Sequence, residues 1–247
     1  VTLPFFAARL MASSAVFVKV YFDEKLEALL DGVVSAFGFF GGVPRKCMFD
    51  NPSTAVRAIL GNGQRLQTPE FKALQAHYGL EAVFCNPGAG NEKGGVESAV
   101  QWALRNLFSP VPRAGSLSEL NATVECRCVE DAQRRQRQGT AVAELWERER
   151  GQLGTLPARP FPACRHRFVR VDKTLLVTYD RAVYSAPSAY AGKSLLLRAF
   201  WDRVELADGE RTVAVHGRQR PGGYSLQLEH YLPVLAHKPR AVGHAAV

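Results

Sequence analysis

Apolar positions change period along this chain, and the changes mark its elements. Phe5 to Met11 and Val16 to Phe22 are rich in aromatic or β-branched residues and flank Ala12-Ser13-Ser14, which predicts two strands joined by a turn. From Leu26 the period becomes helical: Leu26, Leu29, Leu30, Val33, Val34 and Phe37 recur at i, i+3, i+4, i+7, i+8 and i+11. Gly38 and Gly41-Gly42 supply the stop. A third strand is expected over Arg45 to Phe49, ended by Asp50-Asn51-Pro52, and a fourth over Glu81 to Cys85. Between them Thr68-Pro69-Glu70 reads as a helix start, with Thr68 as N-cap, Pro69 at the first helical position and Gly79 as the stop. Further helices are expected from about Glu92 to Phe108 and from Leu117 to Ala132.

A hairpin followed by strands that alternate with helices is an α/β order. The pattern then shifts. Gly151 to Pro162 is punctuated by Gly and Pro, and short strands follow it. Leu195 to Leu206 and Arg211 to Gly217 flank Asp208-Gly209, a strong hairpin signal, and together they predict a small antiparallel β barrel. The expected divisions are 1–112 for the α/β core, 113–162 for a helical and basic linker region, 163–220 for the barrel and 221–247 for a C-terminal tail.

Charge sharpens this division. The 247 residues carry 31 Lys and Arg against 23 Asp and Glu. Residues 1–100 hold nine of each, so the whole excess lies beyond them. It is densest from Arg134 to Lys173, where ten basic residues, including Arg134, Arg135, Arg137, Arg165 and Arg167, face four acids. Clustered arginine suits a polyanion, because guanidinium groups pair with phosphates and release condensed counterions. It equally suits a solvated helix with i,i+4 pairs such as Glu144 and Arg148. Five cysteines without a Cys-x-x-Cys pair argue against a disulfide framework or a zinc ribbon and fit a reducing cytoplasm. No apolar run approaches the length of a membrane span. The first residues, which lack both Met and a basic leader, read as an internal start.

Two carboxylates stand at informative places. Asp50 directly follows a strand, either as an Asx turn or cap, or as a carboxylate offered at a sheet edge. Glu97 shares its helical phase with Leu104 and Phe108, which predicts a core-facing stripe in which a carboxylate must be paired, protonated or bound to a metal. The simpler alternative is an acid favoured near a helix N-terminus. Gly88, Gly90, Gly94 and Gly95 could bring backbone amides to a phosphate, but they do not form a Walker A loop. Gly192-Lys193-Ser194 fails that pattern as well, because Pro187 stands where it needs glycine and a strand follows.

Phe39-Phe40-Gly41-Gly42-Val43-Pro44-Arg45, Phe49-Asp50-Asn51, Ala76-His77-Tyr78-Gly79 and Asn86 through Glu97, in that order, resemble the IstA-type transposases of bacterial insertion sequences. The resemblance continues through Arg105-Asn106, Glu119-Leu120-Asn121 and Tyr184-Ser185-Ala186-Pro187. It implies a ribonuclease-H-like integrase core followed by a small β barrel, with Asp50 and Glu97 as the second and third members of an Asp, Asp, Glu catalytic triad. Three such carboxylates would hold two Mg²⁺ ions for phosphoryl transfer. Lys93, one turn before Glu97, would meet a DNA phosphate or simply pair with Glu97.

The resemblance implies partners too: element-end and target DNA, further transposase copies and an ATP-binding helper protein. No residue of this sequence matches the first Asp, since Asp23 falls at an expected helix N-cap. The expectation is therefore a core whose first strand is missing, inactive alone and with two unpaired strand edges. The alternative is a non-catalytic DNA-binding or interaction remnant. It predicts salt-sensitive DNA binding that survives Asp50→Ala and Glu97→Ala. Phe200 and Trp201 are expected to pack in the core or a hairpin, and His166, His216, His230 and His237 show no ligand spacing.

Overall fold

The computed structural model describes residues 2–50, 56–59, 65–84, 90–134 and 139–237, and for 56–59, 65–66 and 90–97 it describes the backbone alone. The chain divides into two compact units, Val1–Ala163 and Cys164–Val247.

In the first unit the expected hairpin forms as β1 (Phe5–Arg9) and β2 (Val16–Val20), antiparallel with Phe5 opposite Val20 and Arg9 opposite Val16. Its turn is held from outside, because the Glu149 carboxylate accepts the Ala12 and Ser13 amides at 3.2 and 2.7 Å. The helix α1 (Leu26–Phe40) buries the predicted stripe of Leu26, Leu30, Val33 and Phe37. It ends where Gly41 takes a left-handed φ of 79° and its amide reaches the Phe37 and Gly38 carbonyls, a conformation that costs glycine little. Gly32 serves closeness instead, since a Cβ there would lie 2.5 Å from the Phe6 ring of β1. Asp31 of α1 accepts Lys19 Nζ at 2.6 Å and the Tyr21 hydroxyl at 2.7 Å, which ties the helix to β2 and the residue after it. Asp23 does not cap α1. The N-cap is Lys25, whose amide Asp23 accepts in an Asx turn at 3.2 Å.

β3 (Lys46–Phe49) runs parallel to β6 (Glu81–Phe84), with Phe49 opposite Phe84. Between them come an unforeseen hairpin, β4 (Val56–Ile59) with β5 (Arg65–Gln67), and α2 (Pro69–Tyr78). The Thr68 hydroxyl accepts the Phe71 amide and Gly79 sits at φ 63°, as the sequence signals require. α1, β3 and α2 share one core of Leu30, Phe37, Phe49, Phe71 and Leu74. Among the described residues the β1–β2 and β3–β6 ladders are not hydrogen-bonded to each other.

α3 (Gly90–Asn106) packs on β1 and α4 (Leu117–Asp131) on β2, and Ala103, Leu107, Val124 and Cys128 join the valines of β2 in one core. The outer edge of β2 is closed by a side chain: Asn121 of α4 accepts the Val20 amide at 2.7 Å and donates to the Val20 carbonyl at 3.0 Å. α5 (Val142–Arg150) follows, with Trp146 stacked on Phe39 and donating to the Phe40 carbonyl. The Gly and Pro rich segment is tied down as well. Val43 and Gly154 exchange both backbone hydrogen bonds, and the Phe161 amide donates to the Tyr78 hydroxyl.

The second unit differs from the expected barrel. β7 (Arg165–Arg170), β8 (Leu176–Tyr179), β9 (Ala182–Ser185), β10 (Ser194–Ala199), β11 (Arg203–Asp208), β12 (Arg211–Gly217) and β13 (Tyr224–Ser225) form two sheets, and α6 (Leu232–His237) follows. The sheet orders are β12-β11-β10-β7 and β13-β9-β8, with no closed barrel among the described residues. The ladder breaks at two places. Asp172 turns the chain between β7 and β8 by accepting the Thr174 and Leu176 amides at 2.7 and 2.9 Å, so those strands join through a bend. β13 pairs in parallel with β9 rather than with β12. Val177, Tyr184, Leu195, Leu197, Val204 and Leu206 fill the shared core. The single strand expected over Leu195 to Leu206 is in fact two, folded at Phe200, whose amide and carbonyl partner Arg203 and Arg218. Arg203 lies over the Phe200 ring at 3.8 Å, consistent with the expected hairpin packing.

Candidate catalytic and nucleic-acid-binding residues

Asp50 directly follows β3 and is exposed. β3 and β6 are parallel and end in register at Phe49 and Phe84, so Asp50 lies at the carboxyl end of a parallel pair, where open α/β sheets form their ligand sites. β6 leads on to α3, whose backbone carries Lys93 and Glu97; the side chains of both lie outside the described residues. α3 buries Ala99 and Ala103, and Leu107 just beyond it; of the two residues that share the phase of Glu97, Leu104 is 44% exposed and Phe108 is partly buried against Phe5. Next to Glu97, the Ser98 hydroxyl accepts from Arg9 of β1, which anchors this part of α3 on the hairpin.

A carboxylate at a strand end is a hard oxygen donor of the kind Mg²⁺ takes. Among the described residues, which do not include the Glu97 side chain, no group of three or more His, Cys, Asp or Glu converges. Burial pushes the Cys47 and Cys128 thiols up to about 12, which keeps them protonated and poorly nucleophilic at neutral pH.

The basic residues separate into two kinds. Arg134 is committed internally, with its guanidinium on Asp131 at 2.7 Å and on the Ser14 carbonyl at 2.9 Å. Asp131 also accepts the Trp102 indole at 3.1 Å. Arg148 pairs with Glu144 and Arg150 with Glu147, the helical pairing that suits this stretch as well as a polyanion does. Arg135 and Arg137 lie outside the described residues. On β7, Arg167 is exposed and Arg165 half-buried, opposite Leu197 and Ala199. Sequence reasoning missed Phe168, which is 83% exposed on the same strand.

Residues 156–223, most of them in the second unit, match the Mu transposase C-terminal domain family. Over nearly its whole length the chain is similar to insertion-sequence transposases. It is 37% identical over 248 residues to a transposase of Aminobacter aminovorans, covering 96% of this chain and 48% of that protein. It is 34% identical over 246 residues to the transposase for insertion sequences IS1326/IS1353 of Pseudomonas aeruginosa, again covering 96% and 48%. With the transposase for insertion sequence element IS21 of Pseudomonas aeruginosa it shares 28% over 217 residues, 85% of this chain and 55% of that one. The chain thus spans about half the length of these relatives. A structural likeness to the catalytic core domain of BIV integrase covers 61% of this chain and 89% of that one, with a TM-score of 0.45 and 14% identity. No helix among the described residues is long and apolar enough to cross a membrane.

Proposed function

We propose that this chain carries the catalytic-core and C-terminal functions of an IstA-type insertion-sequence transposase, a protein that cleaves DNA at element ends and joins them to a target. The observation that carries this reading is the 34–37% identity to transposases over 96% of the chain. In this reading the first unit is a ribonuclease-H-like core. Asp50 and Glu97 supply two carboxylates of a divalent-metal site, Asp50 from the end of β3 and Glu97 from α3 beyond the end of β6. When bound, Mg²⁺ in such a site lowers the pKa of an attacking oxygen and offsets charge on the leaving one. Two carboxylates do not close a two-ion site, so the contribution assigned to these residues is to hold and orient the metal. The second unit supplies DNA contacts through β7, with Arg165 and Arg167 as the first candidates.

Two measurements test the assignment. Fe²⁺ substituted for Mg²⁺ in the chain and treated with ascorbate is expected to cut the backbone near residues 50 and 97, with cleavage competed by Mg²⁺ and lost in Asp50→Ala and Glu97→Ala. In a strand-transfer assay with labelled element ends and Mn²⁺ or Mg²⁺, both substitutions are expected to abolish any joined product while leaving duplex affinity intact. Cleavage or joining that survives both substitutions removes these residues from the site.

A further inference from the structure

The outer face of the four-stranded sheet carries side chains that the catalytic reading leaves unused. Leu195, Leu197 and Ala199 of β10 point into the core and are at most 1% exposed, so the alternate residues form the opposite face. The register sets His166 beside Arg198, Phe168 beside Leu196 and Arg170 beside Ser194. It extends the Arg198 row to Glu205 and Val215. Phe168 stands in this face 83% exposed, its ring left in water where burial would be favoured.

The ring is bracketed by available cations. Arg170 donates Nε to the Gly192 carbonyl at 3.2 Å, and Arg198 reaches the Gly209 carbonyl at 3.5 Å. No carboxylate pairs with either among the described residues. Glu205, the acid of this face, is occupied by Arg203 at 2.8 Å. β7 is an edge strand, so the face that carries Phe168 runs out to the border of the sheet. Unopposed guanidinium groups complement phosphates, and an exposed aromatic ring on a flat sheet complements the face of a base. A duplex hides its base faces in its own stack; an unpaired strand offers them.

We propose that this face binds single-stranded DNA, with phosphates on Arg170 and Arg198 and an unpaired base stacked on Phe168. The choice of DNA as the polyanion rests on the transposase reading. The site itself rests on the exposed ring and its two arginines.

Fluorescence anisotropy of the full chain with a labelled oligo-dT of about 16 nucleotides, beside a duplex of the same length, tests it. Phe168→Ala is expected to weaken oligo-dT binding roughly 5- to 100-fold, the loss of one base–aromatic stack, and to leave duplex binding within about twofold. Phe168→Trp keeps the affinity. Arg170→Ala with Arg198→Ala lowers the slope of log affinity against log salt by about 1.4, at about 0.7 per phosphate contact on a single strand. Because Phe168 is exposed, its alanine variant should melt like the parent, which excludes misfolding as the cause of lost binding. Unchanged oligo-dT binding in Phe168→Ala overturns the proposal. So does an equal loss for single strand and duplex, or a change in the chain's sedimentation without a change in DNA affinity, which would make the face a protein interface. Failure of metal-directed cleavage at Asp50 and Glu97 would remove the catalytic assignment and leave these affinities unmoved.

Discussion

Asn121 offers the sharpest test of how this fold closes its sheet edge. Its amide accepts the Val20 N–H at 2.7 Å and donates to the Val20 carbonyl at 3.0 Å, taking the place of a neighbouring strand. Val20 is 2% exposed, so water does not readily replace the lost partner. Each such hydrogen bond contributes about 0.5–1.5 kcal/mol net, and leaving a buried backbone group unpaired costs about 1–3 kcal/mol. Asn121→Ala is therefore expected to destabilise the first unit by about 2 kcal/mol. Asn121→Asp separates the two bonds. The introduced carboxylate still accepts from the amide but turns a lone pair toward the Val20 carbonyl, so near neutral pH it should cost at least as much as alanine. Protonation restores a donor. The folded state thus raises the pKa of that carboxyl above its unfolded value, and the variant recovers relative to the parent as pH falls through the raised pKa. Urea titrations of the parent and both variants near pH 7 and pH 5, followed by tryptophan fluorescence, measure this. A loss below about 0.5 kcal/mol in Asn121→Ala, or a deficit in Asn121→Asp that does not shrink on acidification, would refute the edge-closing role.

In the second unit, His216 donates Nε2–H to the Ser185 carbonyl at 2.8 Å and faces the Ser225 hydroxyl through Nδ1, while His230 Nδ1 meets the Ser185 hydroxyl at 2.7 Å. Burial holds both rings below the ordinary histidine value of 6.5; for His230 the nearby His216 adds to this and Glu229 opposes it. The unfolded chain therefore takes up these protons first, and stability is expected to be full above about pH 6.5 and to fall as pH drops through the lowered pKa values, as urea midpoints across that range would show; a flat profile would refute it. Arg134→Ala is expected to cost about 1 kcal/mol by releasing Asp131 and the Ser14 carbonyl, partly offset by relief of half-buried Arg9, whose pKa is lowered by burial and by the Arg134 charge. DNA affinity should stay within about twofold in anisotropy, and a larger loss with unchanged melting would return Arg134 to the DNA-binding set.

Local signals were legible wherever a few neighbouring residues determine the outcome. The Thr68-Pro69 start and Gly79 stop of α2 depend on one side-chain cap and one left-handed residue, and the Asp208-Gly209 hairpin on a tight turn. The stripe from Leu26 to Phe37 is buried as its period requires, because one face of α1 meets the core along its length. The expected stripe through Leu104 and Phe108 is met only at Phe108, because α3 turns Ala99 and Ala103 inward, small residues that a hydrophobicity count ranks below leucine, and leaves Leu104 44% exposed.

By itself the sequence determined the α/β order, the strand end that carries Asp50, the change of character near residue 160 and the total of basic charge. Tertiary structure alone decided which arginines remain available to a partner and which apolar residues face outward. Arg134 and Arg170 are the same side chain in the same basic stretch, but one is consumed by Asp131 and by Ser14, 120 residues away, while the other, among the described residues, meets a backbone carbonyl and no carboxylate. Phe71 is fully buried and Phe168 is 83% exposed. The physical reason is common to both comparisons: ion pairing and burial depend on groups brought together from distant parts of the chain, and short-range periodicity carries no record of them.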